Sequence, residues 1–170
     1  TREIVEKFHR IYKTEVFPLP QSKLSKAPRI LGTDGNAKMS KSLNNAIFLK
    51  DSPEEIREKI KTAKTDSFSL VAYDPKKRPE ISNLVLIYGL IHSTSPQEAV
   101  KEIGDANYTT FKNKLSNDLI KFLEPIREKR KEMEKNPEKA MNILAEGTKK
   151  TLVRAEETIN LVKETMKLTY

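Results

Sequence analysis

Apolar residues recur every three or four positions along most of this chain, a spacing that predicts amphipathic helices and a mainly α fold. The first helix is predicted over residues 2 to 13. Three more are predicted in the middle of the chain, each starting at a serine or asparagine that can accept a hydrogen bond from the first helical turn. These predicted starts are Ser52, before Pro53; Ser82 with Asn83; and Ser95, before Pro96.

Two long helices are predicted at the end of the chain, over about residues 108 to 134 and 137 to 168. Their apolar residues form stripes that are typical of the buried seams of an antiparallel helical bundle. Only Lys135-Asn136-Pro137 separates them, so we expect the two helices to lie side by side. The stripe residues are Phe111, Leu115, Leu119, Phe122, Ile126 and Met133 in the first helix, and Met141, Leu144, Thr148, Leu152, Ala155, Ile159, Val162 and Met166 in the second.

The segment between the first and second helices breaks this pattern. Phe17-Pro18-Leu19-Pro20 cannot continue a helix, because each proline lacks an N–H group. Short strands are predicted at residues 29 to 31 and 46 to 49, on either side of a loop that contains Gly32 and Gly35.

A second irregular segment, residues 65 to 79, contains the turn signal Asp74-Pro75 and is the predicted domain boundary. We therefore divide the chain into residues 1 to 75 and residues 76 to 170. The second region holds the predicted helical bundle.

Charge is unevenly distributed along the chain. The net charge is +8, of which residues 1 to 50 contribute +6 and residues 51 to 170 contribute +2. This excess predicts an anionic partner, such as a nucleotide or a nucleic acid, for the first region. The chain has no cysteine, and His9 and His92 are isolated, so neither a disulfide nor a protein-bound metal is expected. No apolar run has the length of a membrane span, and no membrane association is expected.

The pentapeptide Lys38-Met39-Ser40-Lys41-Ser42 is the candidate chemical motif. Two ammonium groups with neighbouring hydroxyl and backbone donors suit the binding of a polyphosphate, above all when charge builds on a leaving pyrophosphate. The alternative is a solvated polar loop. The chain contains neither a Gly-x-Ser-x-Gly elbow nor a Gly-x-x-x-x-Gly-Lys-Ser/Thr phosphate loop.

Basic clusters on the long helices permit two interpretations. They are either solvated helix faces or contacts for the phosphates of a folded RNA. Aromatic residues could stack on an unpaired base. The basic residues are Arg127, Lys129, Arg130, Lys131, Lys149, Lys150 and Arg154, and the aromatic candidates are Phe68, Tyr73 and Tyr108.

The pentapeptide resembles the KMSKS signature of class I aminoacyl-tRNA synthetases. Its flanks resemble bacterial-type tryptophanyl-tRNA synthetases through essentially the whole chain. The matching segments are Ala37, Phe17-Pro18-Leu19-Pro20, Ile60-Lys61-Thr62-Ala63, Thr65-Asp66-Ser67, Tyr73-Asp74-Pro75, Pro79, Ser82-Asn83-Leu84, Ile87-Tyr88 and Phe122-Leu123-Glu124-Pro125-Ile126-Arg127. The His-x-Gly-His motif of that family does not occur here, so the chain resembles its C-terminal half.

The resemblance implies ATP-dependent activation of tryptophan, followed by transfer to tRNA(Trp) in the cytoplasm. ATP would enter with Mg²⁺, and Lys38 and Lys41 would be catalytic residues that contact its phosphates. The implied ATP-binding residues are Ile30, Lys38, Met39, Ser40, Lys41 and Ser42.

The resemblance also implies the limits of this chain. Residues 1 to 75 would end a Rossmann-type catalytic domain, and residues 76 to 170 would bind the tRNA anticodon through residues that the sequence does not identify. L-tryptophan would bind only through the absent N-terminal half, which would also form most of a homodimer. We therefore expect no catalysis by this chain alone.

Two other functions stay open. A tyrosyl-tRNA synthetase carries a similar loop, but the downstream segments fit the tryptophan enzyme better, and we expect no additional RNA-binding tail after Tyr170. A non-catalytic helical module that binds RNA or protein is the alternative from a different class.

Overall fold

The computed structural model describes residues 1–168, and their regular structure is helical, which confirms the predicted mainly α fold. Thr169 and Tyr170, at the end of the predicted helical region, lie outside the described residues. Within residues 1–168, none of the helices combines the length and the apolar character that crossing a bilayer requires. The helices are α1, Arg2–Tyr12; α2, Pro53–Thr62; α3, Pro79–His92; α4, Pro96–Ile103; α5, Tyr108–Lys135; and α6, Pro137–Thr165.

The described chain forms two compact units, residues 25–132 and residues 1–24 with 133–170. The first unit contains a hydrophobic core built by α2, α3, α4 and the first half of α5. Its side chains without solvent exposure include Ile56, Ile60, Tyr88, Phe111 and Leu115. The predicted functional division at residues 75 and 76 is a separate question and stays a prediction.

Local capping signals fix the starts of α2 and α4. Ser52 and Ser95 each accept a hydrogen bond from the backbone N–H of the third helical residue, and a glutamate at that position bonds back to the serine N–H. The prediction for these two starts is confirmed.

The predicted start of α3 at Ser82-Asn83 is wrong, because the helix begins at Pro79. Both polar side chains lie inside the helix and are buried. Ser82 Oγ accepts a hydrogen bond of 2.9 Å from the Asp74 N–H, so it holds the preceding segment and does not cap its own helix.

The predicted strands are not confirmed among residues 1–168, where only isolated bridges occur. Leu31 pairs with Lys38 across a tight turn, and its own backbone groups bond to a side chain. The Asn83 amide donates to the Leu31 carbonyl at 2.9 Å, and its oxygen accepts from the Leu31 N–H at 2.8 Å. A side-chain amide therefore takes the place of a neighbouring strand.

Asp66 ties the irregular segment before α3 to the start of α5. The Arg78 guanidinium donates to both oxygens of Asp66, at 2.7 and 3.2 Å, and the Tyr108 hydroxyl donates to the same carboxylate. The hydrogen bond from Arg78 is the main cause that lowers the pKa of Asp66. This charged cluster closes residues 65 to 79 against the core.

The second unit contains α1 and α6. Val5 is its buried apolar residue on α1, and Phe8 contacts both Tyr12 and Phe17, with ring centroids 4.6 and 5.1 Å apart. The prediction of a buried stripe on α6 is wrong for the described residues, because α6 has no buried residue.

The stripe on α5 is confirmed only in part. Phe111, Leu115 and Leu119 are buried, but Phe122 and Ile126 are exposed and Leu123 is buried in their place. Periodicity identifies residues that share a helix face. It does not say whether anything covers that face.

Candidate functional site

The signature pentapeptide begins on the second arm of a short hairpin. The Gly32 N–H donates to the Ala37 carbonyl at 2.9 Å, and the Met39 N–H donates to the Ile30 carbonyl at 2.9 Å. These bonds bring Ile30, a predicted ATP-binding residue, directly beside Met39. Two of the six predicted residues are thus joined through the backbone.

Two glycines allow the tight path of this hairpin. A Cβ atom at Gly32 would lie 2.2 Å from Nδ2 of Asn45, so no larger residue fits without moving that side chain. Gly35 has a φ of 68°, and a Cβ there would also meet Glu80. Both glycines are therefore closely packed.

Lys41 begins a single turn of 3₁₀ helix, Lys41–Leu43. Ser40 precedes it in an extended conformation, and Asn44 ends it in the left-handed region with a φ of 51°. The Ser40 and Ser42 hydroxyls lie 3.1 Å apart across the turn. Lys38 and Lys41 are both exposed to solvent.

Asn45 is the residue that sequence reasoning missed. Its side chain retains only 3% exposure although residues 41 to 44 are all exposed. Its Oδ1 accepts from the Ser40 N–H at 2.9 Å, and its Nδ2 donates to Asp34 at 2.9 Å and to the Lys38 carbonyl at 3.4 Å. The one sequence signal for it is an asparagine in a polar turn.

Asp34 completes this arrangement. The hydrogen bond from Asn45 is the main cause that lowers its pKa, and the Asn36 N–H adds to the effect. Asp34 therefore stays ionised at neutral pH. The Asn45 carbonyl also accepts a hydrogen bond of 2.9 Å from the Thr33 N–H, which ties the first half of the hairpin to the end of the signature turn.

The signature turn forms one side of a groove of about 650 Å³. Lys41, Lys50 and Arg130 contribute positive charge to it, and no carboxylate is among its lining residues in the described part of the chain. Ile47, Phe48 and Leu49 give it an apolar part. A groove with these properties can accept a ligand that carries both phosphates and an apolar or aromatic group.

A partly buried ion pair anchors the segment next to this groove. Lys59 lies 2.6 Å from the buried Asp51 carboxylate and also donates to the Ala46 carbonyl at 3.0 Å. Its ammonium lies 4.7 Å from the centre of the Phe48 ring. Residues 46 to 51 are therefore held to α2.

The candidate stacking residues differ in availability. Tyr108 is engaged with Asp66 and Arg78 through its hydroxyl, whereas the Phe68 ring is 63% exposed and lies 4.7 Å from the Arg78 guanidinium. The basic residues of α6, Lys149, Lys150 and Arg154, are all exposed. These positions suit contact with a macromolecular polyanion.

Comparison with known proteins gives consistent matches. The family model described as class I tRNA synthetases (W and Y) matches residues 1–124. A tryptophan–tRNA ligase from Treponema pallidum is 40% identical over 173 residues, which cover 99% of this chain and 50% of that protein. Its counterpart from Rickettsia conorii is 38% identical over 169 residues, which cover 96% of this chain and 51% of that protein.

Solved structures agree with these matches. Tryptophanyl-tRNA synthetase from Mycoplasma pneumoniae superimposes with a TM-score of 0.82 at 26% identity, covering 99% of this chain and 52% of that one. The Campylobacter jejuni enzyme, in a complex with ADP and tryptophan, gives a TM-score of 0.67 at 27% identity, with 98% and 52% coverage. The chain spans about half the length of these relatives. Because the family model matches most of its residues and the relatives align along nearly all of it, this chain belongs to the class I tRNA synthetases (W and Y).

Proposed function

We propose that this chain is the C-terminal part of a tryptophanyl-tRNA synthetase and supplies its ATP-phosphate-binding signature loop. The observation that carries this proposal is the ordered turn that presents Lys41 at a groove with two further cations, Lys50 and Arg130. The tryptophan–tRNA ligases among its relatives support the choice of amino acid.

The proposed chemistry has two steps. A carboxylate oxygen of tryptophan attacks the α-phosphorus of ATP, and the bond from that phosphorus to the bridging oxygen of pyrophosphate breaks. A hydroxyl at the 3′ end of tRNA(Trp) then attacks the acyl carbon of the adenylate. The bond from that carbon to the phosphate oxygen breaks, so AMP leaves and the hydroxyl proton is released. Negative charge grows on the leaving pyrophosphate during the first step, which is where a positioned cation lowers the barrier.

Lys41 has the larger proposed role in that step. Both lysines are exposed, but Lys41 lines the groove, whereas the Lys38 carbonyl is tied to Asn45. Lys38 would hold the phosphates in the ground state as well. Met39, Ser40 and Ser42 shape the turn and add neutral donors, and Ile30 lies beside them. Mg²⁺ would enter with ATP, as part of the substrate.

The helical region, residues 76 to 170, is proposed to bind the tRNA anticodon. The exposed lysines and arginine on α6 support contact with RNA phosphates, which requires accessible cations. For the whole enzyme, we propose a homodimer that acts in the cytoplasm. The other half of that enzyme would hold the L-tryptophan pocket and most of the dimer interface. On this proposal, the chain alone holds too little of the active site for catalysis.

The test compares Lys41→Ala with a matched control, Lys26→Ala, in the full-length enzyme. Lys26 is also an exposed lysine of residues 25–132, but it lies outside the signature turn. Tryptophan-dependent exchange of pyrophosphate into ATP should fall by roughly 10²- to 10³-fold in Lys41→Ala, with little change in the KM for tryptophan, because the lysine acts on developing charge. The control should stay near wild type.

Three results would contradict the proposal. Equal losses in the exchange rate and in the affinity for tryptophan in Lys41→Ala would contradict a transition-state role of Lys41. Exchange that depends on tyrosine alone would assign the chain to the tyrosine enzyme. The absence of exchange with either amino acid would leave a non-catalytic module.

A further inference from the structure

Asn45 is a buried amide that connects separate parts of the signature loop. A buried side-chain amide is costly unless its polar groups are hydrogen-bonded. Here the partners all belong to the loop itself: the Ser40 N–H, the Lys38 carbonyl and the Asp34 carboxylate. The bonds to Lys38 and Ser40 hold the backbone on both sides of Met39.

The same side chain also closes the turn that carries Lys41. Ser40 comes just before that turn, and the bond of 2.9 Å from its N–H to Asn45 Oδ1 spans the turn from one end to the other. The direction in which Lys41 leaves the backbone therefore depends on this bond. Gly32 makes the closure sterically feasible, because a Cβ atom there would lie 2.2 Å from Nδ2 of Asn45.

We infer that Asn45 is a positioning residue that sets the placement of Lys38 and Lys41 relative to each other for phosphate binding. The inference rests on the proposed function of the two lysines. Asp34 orients the Asn45 amide, because its carboxylate accepts the Nδ2 donor and so leaves Oδ1 facing the Ser40 N–H. Reversing the Asp34–Asn45 pair should consequently restore the geometry.

The catalytic arm uses four variants of the full-length enzyme: Asn45→Ala, Asn45→Asp, Asp34→Asn, and the double variant Asn45→Asp with Asp34→Asn. Asn45→Asp sets two carboxylates against each other. The double variant restores one donor and one acceptor with reversed polarity, and the carboxylate at position 45 can still accept from the Ser40 N–H. It cannot replace the longer bond of 3.4 Å to the Lys38 carbonyl. Asn36→Ala is the control, since Asn36 is an exposed amide on the same hairpin.

We expect Asn45→Ala and Asn45→Asp to lower the rate of tryptophan-dependent pyrophosphate exchange by about 10- to 100-fold, the scale of a small misplacement of catalytic groups. The KM for tryptophan should change by less than about twofold, because uniform binding is unaffected. The double variant should recover part of the rate, because it regains the bond to Ser40 but not the bond to Lys38, and Asn36→Ala should match wild type. A double variant that melts like wild type but stays as slow as Asn45→Asp would overturn the inference.

A second arm measures amide hydrogen exchange in the 170-residue chain and needs no activity. Asn45→Ala should lose protection at the Ser40 N–H and keep it at the Gly32 N–H, whose acceptor is the Ala37 carbonyl. Unchanged protection at Ser40 would refute the closure. Loss of protection at both amides would show general unfolding and would also count against a positioning role. A wild-type enzyme that shows no amino-acid-dependent pyrophosphate exchange would instead refute the proposed function. The positioning role of Asn45 would then be refuted as well, even if the Ser40 amide lost its protection as expected.

Discussion

Replacing Asp66 by asparagine is expected to destabilise residues 25–132 by about 2 kcal/mol at pH 7. The substitution keeps the size of the side chain and removes its charge. The Arg78 guanidinium then stays in the cluster without its ionic partner. Tyr108 loses a charged acceptor for its hydroxyl.

The magnitude follows from the exposure of the pair. Breaking a fully buried ion pair costs about 3–5 kcal/mol, and an exposed pair is worth about 0–1 kcal/mol. The side chains of Arg78 and Asp66 retain 15% and 13% exposure, which places them between these limits. Asparagine still offers one oxygen acceptor, so we take about 2 kcal/mol, a value below the fully buried range.

The pH dependence of stability provides a second, independent test of this prediction. The pKa of Asp66 is lowered in the folded state, chiefly by the hydrogen bond from Arg78. Its contribution to stability is therefore fully present above the unfolded pKa, near 3.9, and is lost as the pH falls through the lower folded pKa. The stability difference between wild type and Asp66→Asn should shrink as the pH falls below about 4.

Urea denaturation followed by circular dichroism at pH 7 and pH 3 measures both effects. Asp105→Asn is the matched control, because Asp105 is an exposed aspartate before α5. A difference between wild type and Asp66→Asn below about 0.5 kcal/mol at pH 7 would place the pair among ordinary surface ion pairs. A difference of about 2 kcal/mol that persists unchanged at pH 3 would refute the charge-based explanation.

Two further predictions concern the hairpin and α6. Gly35→Ala should cost about 1–3 kcal/mol in the same urea assay, because residue 35 has a φ of 68° and the added Cβ would lie 2.5 Å from Glu80 Cγ; an unchanged midpoint would contradict this. If Lys149, Lys150 and Arg154 each contact one phosphate, these three contacts should make the affinity for tRNA fall by roughly 20- to 40-fold between 50 and 200 mM salt. Fluorescence anisotropy with labelled tRNA measures it, and a salt-independent Kd would exclude those contacts.

Local signals in the sequence were sufficient for most helix boundaries. Ser52 and Ser95 cap helices through contacts that span three residues, so a short window contains the whole interaction. The resemblance to the synthetases likewise depended on short contiguous segments, the pentapeptide and its flanks, and the family match confirms it. Prediction succeeded where the interacting residues are close together in the sequence.

The failures have a different physical origin. Ser82 and Asn83 were interpreted as helix caps, but their partners are Asp74 and, 52 residues away, Leu31. The hydrogen bonds of Asn45 depend on the conformation of a folded hairpin, which the spacing of apolar residues does not predict. The apolar stripe of α6 identifies the helix face that could be buried. In the described chain no residue of α6 is buried, so that face remains uncovered.

Asn83 also covers a potential strand edge at Leu31. Leu31 is extended backbone, and one side of it already pairs with Lys38. Its other side would otherwise be an open edge, of the kind that recruits strands from neighbouring molecules and starts aggregation. The Asn83 amide occupies both backbone groups on that side, so neither is available to pair with a strand from another molecule.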